Sequence, residues 1–243
     1  MSKIIVLDIE TVAVNAQESL DPFISGLRGK KSRAQKEVKN AGLLGNISGL
    51  EEDKYSLAIG KAALTPVASQ VMCIGIIERD IITGTHSWLK FIGNDEKEIL
   101  GRFYNYYQSL PPEHVVVTFN GRNFDFPFLL FRSGIRMIPL RLPLKKYNGQ
   151  DNHIDMCQHL DNIGLISNVD GSLQWISLDK WSRYLGFGPK KMPNLELLYN
   201  QQDWTAIEEY CKNDVMVTSA MFDTFQSNFD LERLFRRNFN SGY

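Results

Sequence analysis

KIIVLDIE, Lys3–Glu10, is the stretch from which the rest of the chain is best read. Lys3 to Leu7 is a short apolar run rich in β-branched residues, and it reads as a buried strand. Side chains alternate between the two faces of a strand, so Asp8 and Glu10 point the same way. Two carboxylates at a strand end suit a hard divalent cation, which takes oxygen ligands. The same pair also occurs as ordinary solvated acids, so the decision passes to the rest of the sequence.

Further strands are expected at Val71–Ile77, at Ile82–Phe91 with Gly84 weakening its middle, and at His114–Phe119. A short fifth is expected at His153–Cys157. Between them, Asn94–Ser109 has helical periodicity through Ile99, Leu100, Phe103 and Tyr107, with Asn94 or Asp95 as its cap and Pro111-Pro112 as its stop. Phe126–Ser133 reads as a helix closed by Gly134, and Ser172–Leu185 as one ending at Gly186. Trp204–Phe229 reads as a long helix with Ile207, Tyr210, Cys211, Val215, Thr218 and Phe222 along one side. Strands first and helices interleaved later predict an α/β fold, a mixed five-stranded sheet flanked by helices.

The 243 residues are 43% apolar, which argues for a globular chain rather than a disordered one. No apolar stretch approaches a membrane span and no secretory signal pattern opens the sequence, so a soluble, cytoplasmic protein with no membrane partner is expected. Twenty-seven basic and 28 acidic residues leave a net charge of −1, so any basic surface for nucleic acid must be regional. The three cysteines, Cys73, Cys157 and Cys211, are far apart and form no CxxC pair. They support neither a zinc site nor a disulfide framework and read as buried thiols.

Two more acidic clusters follow the first. Asn120-Gly121-Arg122-Asn123-Phe124-Asp125 carries the chain from the fourth strand into a helix. Alone, Asp125 also reads as an acid favoured by a helix N-terminus, and Phe124 as core. Tyr210 and Asp214 stand at i and i+4, one turn apart on one helix face. Such pairs are common by accident, but this carboxylate lies on a mostly apolar face, where it is costly unless paired or metal-bound.

In this order the three clusters resemble the motifs of the DEDD superfamily of 3′–5′ exonucleases. Asp8-Ile9-Glu10 matches DxE, Asn120 with Phe124-Asp125 matches NxxxFD, and Tyr210 with Asp214 matches YxxxD of the tyrosine subclass. The histidine subclass needs His where Glu209 stands. The proofreading exonuclease of family-B DNA polymerases shares these motifs, and here they run from residue 8 to residue 214. The resemblance implies a ribonuclease H-like fold and one exonuclease domain over residues 1–243, with an insertion at about 12–68. It implies two divalent ions, Mg2+ or Mn2+, held by Asp8, Glu10, Asp125 and Asp214, with Asp8 bridging. It further implies a water oriented by Tyr210, and Thr11, Asn120 and Phe124 as contacts to the terminal nucleotides. The expected substrate is the 3′ end of DNA, single-stranded or frayed, in a setting such as DNA repair.

Alternatives on the same fold are an exoribonuclease, since ribonuclease D relatives also carry YxxxD, and a non-catalytic nucleic-acid-binding module, which would be expected to lack a carboxylate. Outside the motifs, His153-Ile154-Asp155 places an acid at a strand end that reads either as a contact near the site or as a solvated acid, and Lys190-Lys191 reads either as a phosphate contact or as a solvated pair. The segment Thr11–Gln70, roughly sixty residues, exceeds ordinary loop lengths and is expected to carry structure of its own. Its basic stretch Arg28, Lys30, Lys31, Arg33, Lys36 and Lys39 reads as a charged arm for the DNA backbone or as a solvated helix.

Overall fold

The computed structural model describes residues 3–13, 64–143, 152–162, 176–189 and 193–228. Two compact units divide the chain, one of Met1–Glu10 with Val71–Tyr243 and one of Thr11–Gln70. In the second unit the described residues are the end of one strand and the beginning of the next. Just before that beginning, the Ala68 N–H and the Ser69 hydroxyl both donate to the Thr65 carbonyl. The basic stretch from Arg28 to Lys39 and the pair Lys190-Lys191 lie outside the described residues.

Five strands form one sheet: β1 (Lys3–Ala13), β2 (Ser69–Asp80), β3 (His86–Ile92), β4 (Val115–Thr118) and β5 (His153–Asp155). Their order is β3-β2-β1-β4-β5. β1 and β4 are parallel, with Ile5 opposite Val116, and β4 and β5 are parallel, with Thr118 opposite Asp155. β2 and β3 are antiparallel, with Ile76 opposite Leu89, so the sheet is mixed. The described helices are α1 (Glu96–Gln108), α2 (Asp125–Ile135), α3 (Met156–Asn162), α4 (Leu178–Tyr184), α5 (Leu195–Asn200) and α6 (Trp204–Phe225), the last running into a 3-10 turn at Gln226–Asn228.

Strand alternation divides the core. Ile5, Leu7 and Ile9 pack with Phe103 of α1 and with Phe126 and Leu129 of α2. Ile4 and Val6 face the other way and pack with Val117, Ile154, and Val215, Met221 and Phe222 of α6. Asp8 and Glu10 continue the even-numbered face and therefore project toward the side that carries α6. The helix is seated closely there. A Cβ on Gly75 of β2 would stand 2.6 Å from Cys211 Sγ and 3.3 Å from Val215 Cγ2, so only glycine lets strand and helix approach this far.

Several element limits differ from the sequence reading for local reasons. β1 continues through both acids to Ala13 instead of ending before them. Residues 81–83 form a turn instead of opening β3, because the Asp80 carboxylate accepts from the Ile82 and Thr83 backbone N–H groups. Gly84 supplies a left-handed position, φ 68°, just before the strand begins. Gly134 lies inside α2, and β5 stops at Asp155, with Met156 already helical. Ser177 caps α4 at the Lys180 N–H, and the short helix α5, capped by Asn194, is too brief for periodicity to reveal. Among the described residues no helix is long and apolar enough to cross a membrane.

Candidate functional site

β1 brings two acids to the α6 side of the sheet, and α6 brings a phenol, a thiol and a third acid. Along α6, Tyr210, Cys211 and Asp214 fall within little more than one turn, so one helix face carries all three. Glu10 and Asp214 are buried, Asp8 and Tyr210 are half-buried, and Cys211 is fully enclosed. Asp8, Glu10 and Cys211 each offer one ligand atom within 4.8 Å of the others. The Cys211 thiol also donates to the Asp8 carbonyl at 3.9 Å.

The electrostatics report the same convergence. Burial raises the Tyr210 hydroxyl far above its ordinary pKa, and the charges of Asp214, Glu10 and Asp8, in that order, push it further. The phenol is therefore protonated at any physiological pH and is a hydrogen-bonding group, not a base. A hydrogen bond to Cys73, burial, and the neighbouring Glu10 and Asp8 push the Cys211 thiol well up. It remains a neutral, soft group, which leaves the hard oxygen donors as the ligands suited to magnesium or manganese. The donor set thus fits a divalent cation, which would offset the mutual repulsion of the close acids.

Asp125 approaches from the other side of β1. It opens α2, and its carboxylate turns toward β1. Oδ1 accepts from the Ile9 backbone N–H at 3.1 Å, between the two acids of the first motif. This bond ties α2 to the middle of DxE, and Asp125 is not a member of the tight group formed by Asp8, Glu10 and Cys211. Burial raises its pKa to about 7, aided by the charge of Asp155 and opposed by the Ile9 N–H.

That shift has a stability consequence for the metal-free protein. An unfolded Asp loses its proton near pH 4, the folded Asp125 near pH 7, so its contribution to stability is full below about pH 4 and falls as pH rises through 7. Asp125→Asn should therefore melt higher than the parent at pH 8 in chelator, with the difference vanishing at pH 4. Equal melting temperatures at pH 8 would show that burial does not disfavour the charged form of Asp125.

Asn120 is half-buried at the end of β4 with φ 63°, and its Oδ1 accepts from Asn123 Nδ2 at 2.9 Å. Phe124 is half-buried, its ring 5.5 Å from that of Phe128, and it packs on the core at the mouth of α2. Thr11 is buried in β1 and belongs to the second unit. Asp155 is a buried acid and not a solvated one, with its carboxylate accepting backbone N–H groups of the Asn120–Arg122 turn. The sequence did not single out Cys211 as part of the centre. Its only signal was its position inside Tyr210–Asp214, on the side that faces the sheet.

Comparison with known proteins bears on the family and the fold. Residues 68–235, more than half of the chain, match the family described as a predicted 3′–5′ exonuclease related to the exonuclease domain of PolB. No curated protein matches. Among solved structures, E. coli Exonuclease I in complex with a dT13 oligonucleotide is similar at a TM-score of 0.50 and 10% identity, covering 98% of this chain and 43% of that one. The same enzyme with a dA16 oligonucleotide has a TM-score of 0.47 at 10% identity, covering 96% and 42%. The chain thus spans less than half the length of these structures. The fold is ribonuclease H-like, a mixed five-stranded sheet flanked by helices. The chain belongs to the family of predicted 3′–5′ exonucleases related to the exonuclease domain of PolB.

Proposed function

We propose that this protein is a metal-dependent 3′–5′ exonuclease of the DEDD tyrosine subclass, removing nucleotides from single-stranded or frayed 3′ ends of DNA. The observation that carries the reading is the single environment shared by Tyr210, Asp8, Glu10 and Asp214, built from a strand and a helix some 200 residues apart in sequence. Family membership supports the reaction class. The fold likeness to an enzyme crystallised with DNA oligonucleotides is consistent with the substrate class.

In this reading Asp8, Glu10 and Asp214 would hold one cation, and Asp8 and Asp125 would serve a second. Divalent ions so held supply a water of lowered pKa and offset the charge that develops on the phosphate and the leaving 3′ oxygen. Tyr210 keeps its proton and orients the attacking water by a hydrogen bond. Asn120 and Phe124 position the terminal nucleotides, the phenyl ring by packing against a base. Unpairing a duplex end costs a few kcal/mol, which favours single-stranded or frayed ends.

The test is direct. A 5′-labelled single strand with magnesium or manganese should yield a descending ladder from its 3′ end. Chelator should abolish the ladder, and a circular single strand should resist. Efficient cutting of the circle would contradict an exonuclease. Preferential degradation of a matched RNA would transfer the assignment to an exoribonuclease.

Tyr210→Phe should fold normally and slow turnover by about 10- to 1000-fold, the scale of one missing catalytic hydrogen bond. Single-turnover rates at saturating DNA measure this. A variant as fast as the parent would make Tyr210 a packing residue.

A further inference from the structure

The side chains of β5 contact the turn that carries the second motif. Asp155 Oδ1 accepts from the Asn120 N–H at 2.9 Å and from the Cys157 N–H at 3.0 Å, while Oδ2 accepts from the Arg122 N–H at 2.9 Å. Both carboxylate oxygens are thus committed to backbone, and two of these donors belong to the turn. His153, two residues earlier and so on the same side of β5, bonds through Nε2 to Thr118 Oγ1 at 2.8 Å. That hydroxyl oxygen in turn accepts from the Gly121 N–H at 3.1 Å. The Arg122 side chain closes the circuit by donating to the His153 carbonyl.

Three successive N–H groups, those of Asn120, Gly121 and Arg122, are therefore held by side chains from β4 and β5. The turn needs this support. Asn120 occupies the left-handed region, which Asn tolerates better than most residues with a Cβ, and the surrounding bonds offset what cost remains. A Cβ on Gly121 would stand 2.3 Å from Thr118 Oγ1, so the turn lies flush on its anchor. The direction in which Asn120 and Phe124 project follows from the backbone that these bonds hold.

We infer that Asp155, with Thr118 beside it, is a positioning residue for the 3′ end of the substrate, acting through the Asn120–Arg122 turn without touching DNA. The inference rests on the exonuclease reading only for what Asn120 faces. Asp155→Asn is a selective probe, because an amide keeps one accepting oxygen but turns a donor toward one of the N–H groups the carboxylate accepted.

The experiment is a double-mutant cycle of Asp155→Asn and Asn120→Ala, read as Kd for a dT oligomer with a free 3′ end in calcium. Each single variant should weaken binding by about 10-fold, the scale of one disrupted buried hydrogen bond. The double variant should be no weaker than the weaker single one, because the two act as one unit. In magnesium the Asp155→Asn loss should fall on KM more than on kcat. Thr118→Val, which adds no charge that could alter DNA attraction, provides a second cycle with the same expected coupling should Asp155→Asn melt. Binding of Asp155→Asn equal to the parent, or strictly additive losses in the cycle, would overturn the inference. Because the cycle is read in binding, it gives an answer even if the parent degrades no DNA, an outcome that would overturn the exonuclease reading alone.

Discussion

Asp8→Ala and Asp214→Ala should each lose at least about 1000-fold in DNA degradation with magnesium, more than removal of a single stabilising donor costs. Asp8 and Glu10 lie on the face of β1 that carries α6, and Asp214 comes from α6 itself, so neither replacement can be made good by the other element. The fold should survive. Asp8 is half-buried, and the acids around Tyr210 repel one another without a cation, so loss of one relieves repulsion in the apo protein. Melting in chelator should be unchanged or higher, while the labelled-strand ladder disappears. Substantial residual cleavage in either variant, with magnesium present, would sink the two-cation assignment.

Glu96→Ala should produce the largest loss of stability of any substitution considered. Glu96 opens α1 with its side chain 1% exposed. Its carboxylate accepts from Arg132 Nε at 2.8 Å and Arg132 Nη2 at 2.7 Å, a two-point pair with a guanidinium that is itself buried. It also accepts from Arg136 Nε at 2.7 Å and from the Val71 N–H of β2 at 2.9 Å. One carboxylate therefore joins α1, α2 and β2. Alanine would leave a buried cation and a buried strand N–H without their acceptor, and breaking such a pair from one side costs about 3–5 kcal/mol. For a chain of this size that lowers the melting temperature by about 10 °C. Glu96→Gln, which keeps an oxygen for one donor, should lose less. Urea titrations with an unchanged slope would confirm a loss of stability rather than of compactness. A Glu96→Ala protein melting within about 2 °C of the parent would show that water replaces the carboxylate.

Most of the architecture was legible because its signals are local. The runs around Ile5, Ile74 and Val116 are β-branched and short, and the strands they predict all form. The family was legible because NxxxFD and YxxxD are dense, ordered motifs, and both lie within residues 68–235, which match the exonuclease family. The remainder was hidden where a tertiary partner decides. Nothing near Glu96 in sequence announces Arg132, and nothing near Cys211 announces its approach to Gly75 and Asp8. Asp155 left two readings open because its partners are backbone N–H groups more than thirty residues away. Strand limits shifted where an Asp80 turn or an early helix at Met156 overrode propensity.

The proposed site draws on positions 8, 10, 125, 210 and 214, and the bond from the Ile9 N–H to Asp125 joins the first two motifs across 116 residues. No fragment of the chain that stops short of α6 contains the phenol or the last acid. During synthesis β1 therefore waits until Asp214 has emerged before its two acids meet their partners on α6. On the proposed reading, a chain lacking α6 would lack part of its cation site, so the order of the motifs would act as a safety catch, withholding the activity until that helix has packed on the sheet.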